Sequence, residues 1–179
     1  YFDNIREGKR TEPLAAGDDQ KEPRFKVEYK KTDQTHINFG FRGYSRFHPK
    51  YEALEILAII LGGGMSSRLF VEVREKRGLA YRIRTGAMAY NETGNLVSSA
   101  GLNNTNLLEG LRVISDEHKK LTQEAISEKE LKRVKDQIQG SFVIGLEQSD
   151  DLASFYGEQE LLEHKIETPE QRLEKIMAV

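Results

Sequence analysis

Residues 61–81 read LGGGMSSRLFVEVREKRGLAY, from Leu61 to Tyr81, and they set the order of elements around them. Three consecutive glycines, Gly62 to Gly64, do not continue a helix, because each carries backbone freedom that a helix must remove. Before them, Leu54, Leu57, Ala58 and Leu61 mark one helical stripe between Lys50 and Leu61. Ile56 and Ile60 widen that stripe until the helix reads as nearly enclosed. A serine, Ser66 or Ser67, then serves as N-cap of a second helix running to Arg77, and Gly78 stands where a C-terminal cap is expected. Strand character resumes at Leu79.

Downstream, Leu79 to Tyr90 and Asn95 to Gly101 flank Asn91-Glu92-Thr93-Gly94, a four-residue turn that reads as an antiparallel hairpin. Upstream, two strand-like runs lie between Phe25 and Gly43. In the second, Ile37, Phe39 and Phe41 alternate with His36, Asn38 and Gly40, so one face should be buried. After Asn104 the period becomes helical. Leu107, Leu108, Leu111 and Ile114 form one stripe, and Leu131, Val134, Ile138, Phe142 and Leu146 another. Further helices are expected near Asp150 to His164 and after Thr168-Pro169-Glu170. Helices packed on an antiparallel or mixed sheet give an α+β domain.

A chain of 179 residues is long enough for one core and too short for two. Residues 1–24 are polar and charged with Pro13, Gly17 and Pro23, and read as a linker, so the folded part is expected over residues 25–179. The chain opens on Tyr1 and ends at Val179 inside an expected helix, which suggests a fragment of something longer. Lys plus Arg number 27 against 29 Asp plus Glu, a net charge of -2, so no single-sign field points to nucleic acid or an anionic membrane. The absence of cysteine removes disulfides and thiolate chemistry and fits a reducing compartment, with the cytoplasm as the expectation. The apolar stretch around Ala58 to Leu61 falls far short of a membrane span.

Four histidines are present, His36, His48, His118 and His164, and none pairs with another at the helical spacing a zinc site uses. Glu160-Leu161-Leu162-Glu163-His164 would match the inverted zinc-peptidase motif only with histidine at position 160. It reads as a helix end in which His164 complements the dipole, and no metal is assigned. Gly62-Gly63-Gly64-Met65-Ser66-Ser67 lacks the Gly-Lys-Ser/Thr ending of a phosphate loop and follows a helix instead of a strand. The polar cluster from Ser67 to Tyr81 has two readings. Arg74, Lys76 and Arg77 could simply be cations offsetting a helix dipole, with Tyr81 a half-buried strand residue. Alternatively, the helix–glycine–strand corner brings Arg74 and Tyr81 together as a guanidinium fork and a phenol donor able to grip a peptide carbonyl. Strict alternation puts Tyr81 and Ile83 on one face and Arg82 and Arg84 on the other, outside such a site.

The segment from Leu61 to Phe70, continued through Arg74-Glu75-Lys76-Arg77-Gly78-Leu79-Ala80-Tyr81, resembles the non-catalytic half of the pitrilysin, insulinase and mitochondrial processing peptidase family of zinc peptidases. The likeness extends from about His36 to Glu170, through Ser98-Ser99-Ala100-Gly101, the helix with Lys132 to Gly140, and Tyr156-Gly157 to Leu162; Tyr1-Phe2 and the charged stretch after it look like the passage between half-domains. The resemblance implies a ferredoxin-like α+β half-domain of the processing-peptidase metallohydrolase fold. It also implies an arginine and a tyrosine seven residues apart, the spacing of Arg74 and Tyr81. On that match Tyr81 would donate to the substrate carbonyl or developing oxyanion, and Arg74 would hold the substrate backbone and orient Tyr81. Zinc and its base would come from a partner half-domain or subunit, leaving this chain without a cofactor and inactive alone. The substrate would be a peptide or unfolded polypeptide, which a sheet edge could capture by strand addition. The rival expectations are an inactive scaffold subunit of the same family and nucleic-acid binding on the sheet, for which Phe39, Phe41 and Arg42 are poor support.

Overall fold

The structure, a computed structural model, describes Gly8 and residues 15–17, 20–29 and 31–179. Most of the expected linker over residues 1–24, including Tyr1, Phe2 and Pro13, lies outside the described residues. The first of the two expected strand runs does not form one. Phe25, Val27 and Tyr29 are 90%, 89% and 92% exposed, and no regular element begins before Gln34. Their alternation is strand-like, but a strand needs a ladder partner and a surface to cover, and the run has neither among the described residues.

Strand β1 (Gln34–Gly43) leads into helix α1 (Tyr51–Gly62), and a π-helical turn (Phe70–Glu75) precedes β2 (Ala80–Ala89) and β3 (Gly94–Asn103). Helices α2 (Leu107–Gln123), α3 (Glu128–Ile144), α4 (Ser149–Leu162) and α5 (Pro169–Met177) follow. The three strands form an antiparallel sheet in the order β1-β3-β2, so the expected hairpin is present and β2 is an edge strand. Thr168 caps α5 with a complete capping box and Pro169 in its first turn, as the Thr-Pro-Glu sequence indicates.

Period-2 alternation separates the two sheet faces. On β3, Leu96, Ser98, Ala100 and Leu102 are buried, and they pair with Phe41, Phe39, Ile37 and Thr35 of β1. This inner face packs against α1, α2 and the π-helical turn to build a core around Leu61, Leu69, Val73 and Ile114. A second core joins Ile56 and Ile60 to Val134, Ile138 and Ile176. Helix α1 lies between the two, which is why it is apolar nearly all round. Burying each of its large aliphatic side chains stabilises the fold by roughly 1.5–3 kcal/mol.

Helix α2 departs from the expected stripe. Leu108 is 82% exposed, while Gly110, Ile114, Glu117 and His118 are buried. Gly110 takes the sheet-facing position because any Cβ there would stand 2.7 Å from Leu102 Cδ1. His118 Nδ1 lies 2.8 Å from the Ile114 carbonyl. Only a nitrogen bearing hydrogen can bond a carbonyl, so Nε2 accepts from the Ser98 hydroxyl at 3.2 Å, which in turn accepts from Thr85 at 2.6 Å. Phe39 and Phe41 pack against the imidazole, with centroids 5.2 Å away in each case. The aromatics considered for nucleic-acid binding are thus committed to the inner face.

Candidate functional site

The quoted stretch places the site. Gly62 ends α1 directly against β2: a Cβ on it would come 2.3 Å from the Thr85 backbone nitrogen, so only glycine permits that approach. Helix α3 fixes the turn that follows. Gln137 donates to the Gly63 carbonyl at 3.1 Å and Arg133 to the Ser66 carbonyl at 2.7 Å. Glu130 accepts two bonds from Arg68, at 3.0 and 2.7 Å, the bidentate geometry that gives such a pair directionality as well as charge. Sequence reasoning missed this clamp, since Glu130 stands 62 positions from Arg68. Ser67 does not cap the next helix in the usual way; its hydroxyl reaches back 2.6 Å to the Gly64 carbonyl.

The second helix is shorter than expected and of π geometry over Phe70–Glu75. Gly78 follows it at φ 61°, the left-handed conformation that glycine adopts without penalty. Its N–H bonds the Arg74 carbonyl at 3.0 Å, and that of Leu79 bonds the Val73 carbonyl at 2.9 Å. Within this corner the cations divide. Lys76 and Arg77 both bind Glu72, each at 2.5 Å, and these bonds, that of Lys76 foremost, hold the Glu72 carboxyl down at about 2. Arg74 stays outside that cluster. Its guanidinium carbon lies 4.8 Å from the Phe70 ring centroid and 5.1 Å from that of Tyr81, over both aromatic faces.

The expected alternation at the start of β2 fails at one point. Ala80 pairs with Leu102 and Ile83 with Ala100, so Tyr81 and Arg82 together oppose the single residue Gly101. This is a β-bulge, a device that re-aims a side chain next to functional sites. Ile83 remains in the core, but Tyr81 does not share its face and is 83% exposed. Tyr81, Arg82 and Arg84 therefore line the same surface, contrary to the alternation that separates the arginines from the tyrosine. The Tyr81 hydroxyl has no hydrogen-bond partner among the described residues. The structure thus brings Arg74 and Tyr81 into contact through the ring face, leaving the phenol free to donate to a bound molecule.

The sequence profile of the peptidase M16 inactive domain matches residues 1–138, more than half of the chain. The chain belongs to that family. It is 35% identical over 150 residues to the uncharacterized zinc protease YmxG of Bacillus subtilis, covering 84% of this chain and 37% of that protein. Among solved structures it resembles a peptidase M16 inactive domain from Pseudomonas fluorescens, with a TM-score of 0.71 and 26% identity over 82% of this chain and 34% of that one. A chain in the complex III2 structure from Candida albicans shares the fold at a TM-score of 0.72 and 21% identity, covering 83% of this chain and 37% of that one. The chain thus spans little more than a third of the relatives it matches.

Among the described residues no cluster of three or more His, Asp or Glu could hold a metal ion. Of the near-motif residues, Glu163 accepts from Arg46 at 3.2 Å, Glu160 is exposed, and His164 sits past the end of α4 at φ 52°. These residues do not fit zinc. Nor is any described helix long and apolar enough to cross a membrane.

Proposed function

We propose that residues 25–179, entered through a linker over residues 1–24, form the substrate-binding half of a zinc-dependent metalloendopeptidase that acts on peptides or unfolded polypeptides. The observation that carries this reading is Arg74 stacked on the ring of Tyr81, a tyrosine that is 83% exposed and lines an open recess. A phenol donor aimed at the position where negative charge develops lowers the barrier most when it is already oriented. The stacked guanidinium and the glycine cap supply that orientation, and Arg74 retains N–H donors for the substrate backbone. Zinc, held by a partner half-domain or subunit, would supply the activation of water. The curated relatives named as zinc proteases support a peptidase as the whole, and the cysteine-free sequence accords with a cytoplasmic setting.

The test is Tyr81→Phe in the assembled peptidase. Loss of an oxyanion donor should lower kcat by roughly 10² or more with a smaller change in KM. Unchanged kcat would leave Tyr81 a surface residue without a catalytic part, and absence of turnover in the assembled protein would favour an inactive scaffold.

A further inference from the structure

Two recesses meet at Tyr81, and their walls carry charge of one sign. The first, about 530 Å³, lies between the Gly62–Gly64 turn and the β2 edge and includes Arg74. The second, about 710 Å³, spreads over the outer sheet face and includes His36, Asn38 and Ser99. Arg82 and Arg84 line both, and among the described residues no carboxylate lines either. The recess at the other end of the molecule is different: there Arg46 pairs with Glu163 and Arg172 with Glu52. Arg82 and Arg84 have no carboxylate partner among the described residues.

The sheet register fixes how these groups are spaced. Arg84 pairs with Ser99, and Ser99 with Asn38, giving one row across the outer face, closed by a 2.6 Å bond from Ser99 to Asn38. The next row holds His36 opposite Gly101, and Gly101 is the residue the Tyr81–Arg82 bulge faces. With no side chain at Gly101, the His36 imidazole leans over that position, where a Cβ would stand 3.4 Å from His36 Cε1, so His36 forms part of the floor beside Tyr81. A strand advances about 3.3 Å per residue, and the bulge faces Gly101 while Arg84 faces Ser99, so Arg84 stands two ladder steps, about 7 Å, from the bulge, about two residues of an extended peptide.

We infer that Arg82 and Arg84 select substrates carrying Asp or Glu within about three residues of the carbonyl held by Tyr81. The inference rests on the proposed role of Tyr81. A carboxylate there would meet two guanidinium forks, whose planar donors match its geometry bidentately, and no acidic neighbour among the described residues would compete. An uncharged amide of the same shape forfeits the charge assistance, and a lysine is repelled.

The experiment uses the full-length peptidase assembled with its zinc half and quenched fluorescent peptides that differ only in Glu, Gln or Lys at the flanking position. The expected kcat/KM ratio of Glu over Gln is about tenfold, falling toward one in the Arg82→Gln, Arg84→Gln double variant. In the charge-reversed Arg82→Glu, Arg84→Glu variant the Lys peptide should become the better substrate. Both positions are exposed, and circular dichroism checks that the variants fold. Anisotropy of labelled Glu and Gln peptides on chelator-treated protein separates recognition from turnover. Tighter binding of the Glu peptide, lost in the double variant, without cleavage in the metal-loaded protein upholds the acidic preference and overturns the enzyme reading. Cleavage of Glu and Gln peptides at equal kcat/KM, or a preference that survives the double variant, overturns the inference and leaves the enzyme reading standing. No binding of either peptide overturns it as well.

Discussion

Tyr81 owes its position to three glycines, each within about twenty residues of it. Gly62 lets α1 meet β2, Gly78 turns the chain through the left-handed region, and Gly101 faces the bulge that turns Tyr81 outward. The Arg74–Tyr81 contact was one of two readings that the residues left open, and the family resemblance singled it out; the corner at Gly78 is what brings the two together. The bulge was not legible, since period-2 alternation carries no signal for an inserted residue. That is why Arg82 and Arg84 read as outside the site. Gly78 gives a prediction at this scale. An added Cβ would meet nothing within 4 Å, so Gly78→Ala is a backbone change alone. It should cost about 1 kcal/mol in the left-handed region. Urea unfolding is expected to show a lowered midpoint with an unchanged slope, and an unchanged midpoint would mean the corner holds another conformation.

At the scale of elements, the legible features were those with a strong period or a local cap: α1, the β2–β3 hairpin, α3 and the Thr168 cap of α5. The misread ones depended on distant partners. Leu108 faces outward because the sheet demands Gly110 and Ile114 from α2, and the Phe25 run lacks a neighbouring strand. Nothing in the sequence links Ser98, Thr85 and His118, and only tertiary packing joins them into a buried chain. Burial pushes His118 below its ordinary value, against smaller upward effects from the Ile114 carbonyl and Glu117. Above about pH 6.5 the imidazole is neutral folded and unfolded and contributes nothing to pH dependence. Below that, the unfolded chain takes up the proton more readily, so stability falls as pH drops toward the lowered folded value. Glu130 and Glu167, held low by Arg68 and Lys175, lose their contribution only further down, below about pH 4.3. Glu55, raised by burial, works in the opposite sense. The expected outcome is therefore comparative: unfolding free energy between pH 7 and pH 5 should fall more steeply for the natural chain than for His118→Phe. Parallel profiles would contradict a neutral His118.

For the whole molecule, the two cores are tied together by α1, and the Tyr81 surface spans the β2 edge and the outer face of the sheet. Under the proposed function this surface, with no metal-holding cluster among the described residues, is one half of a hydrolytic site whose complementary chemistry faces it from elsewhere. Family membership and a span of little more than a third of the relatives are in keeping with that division. The most direct measurement is cleavage of a quenched fluorescent peptide by this chain alone, by the zinc-bearing half alone, and by the two together, each with and without a metal chelator. The account predicts turnover only in the mixture, abolished by the chelator and reduced by roughly 10² when Tyr81→Phe replaces the natural chain. Turnover by the zinc half that is indifferent to this chain, or a mixture indifferent to Tyr81→Phe, would contradict it.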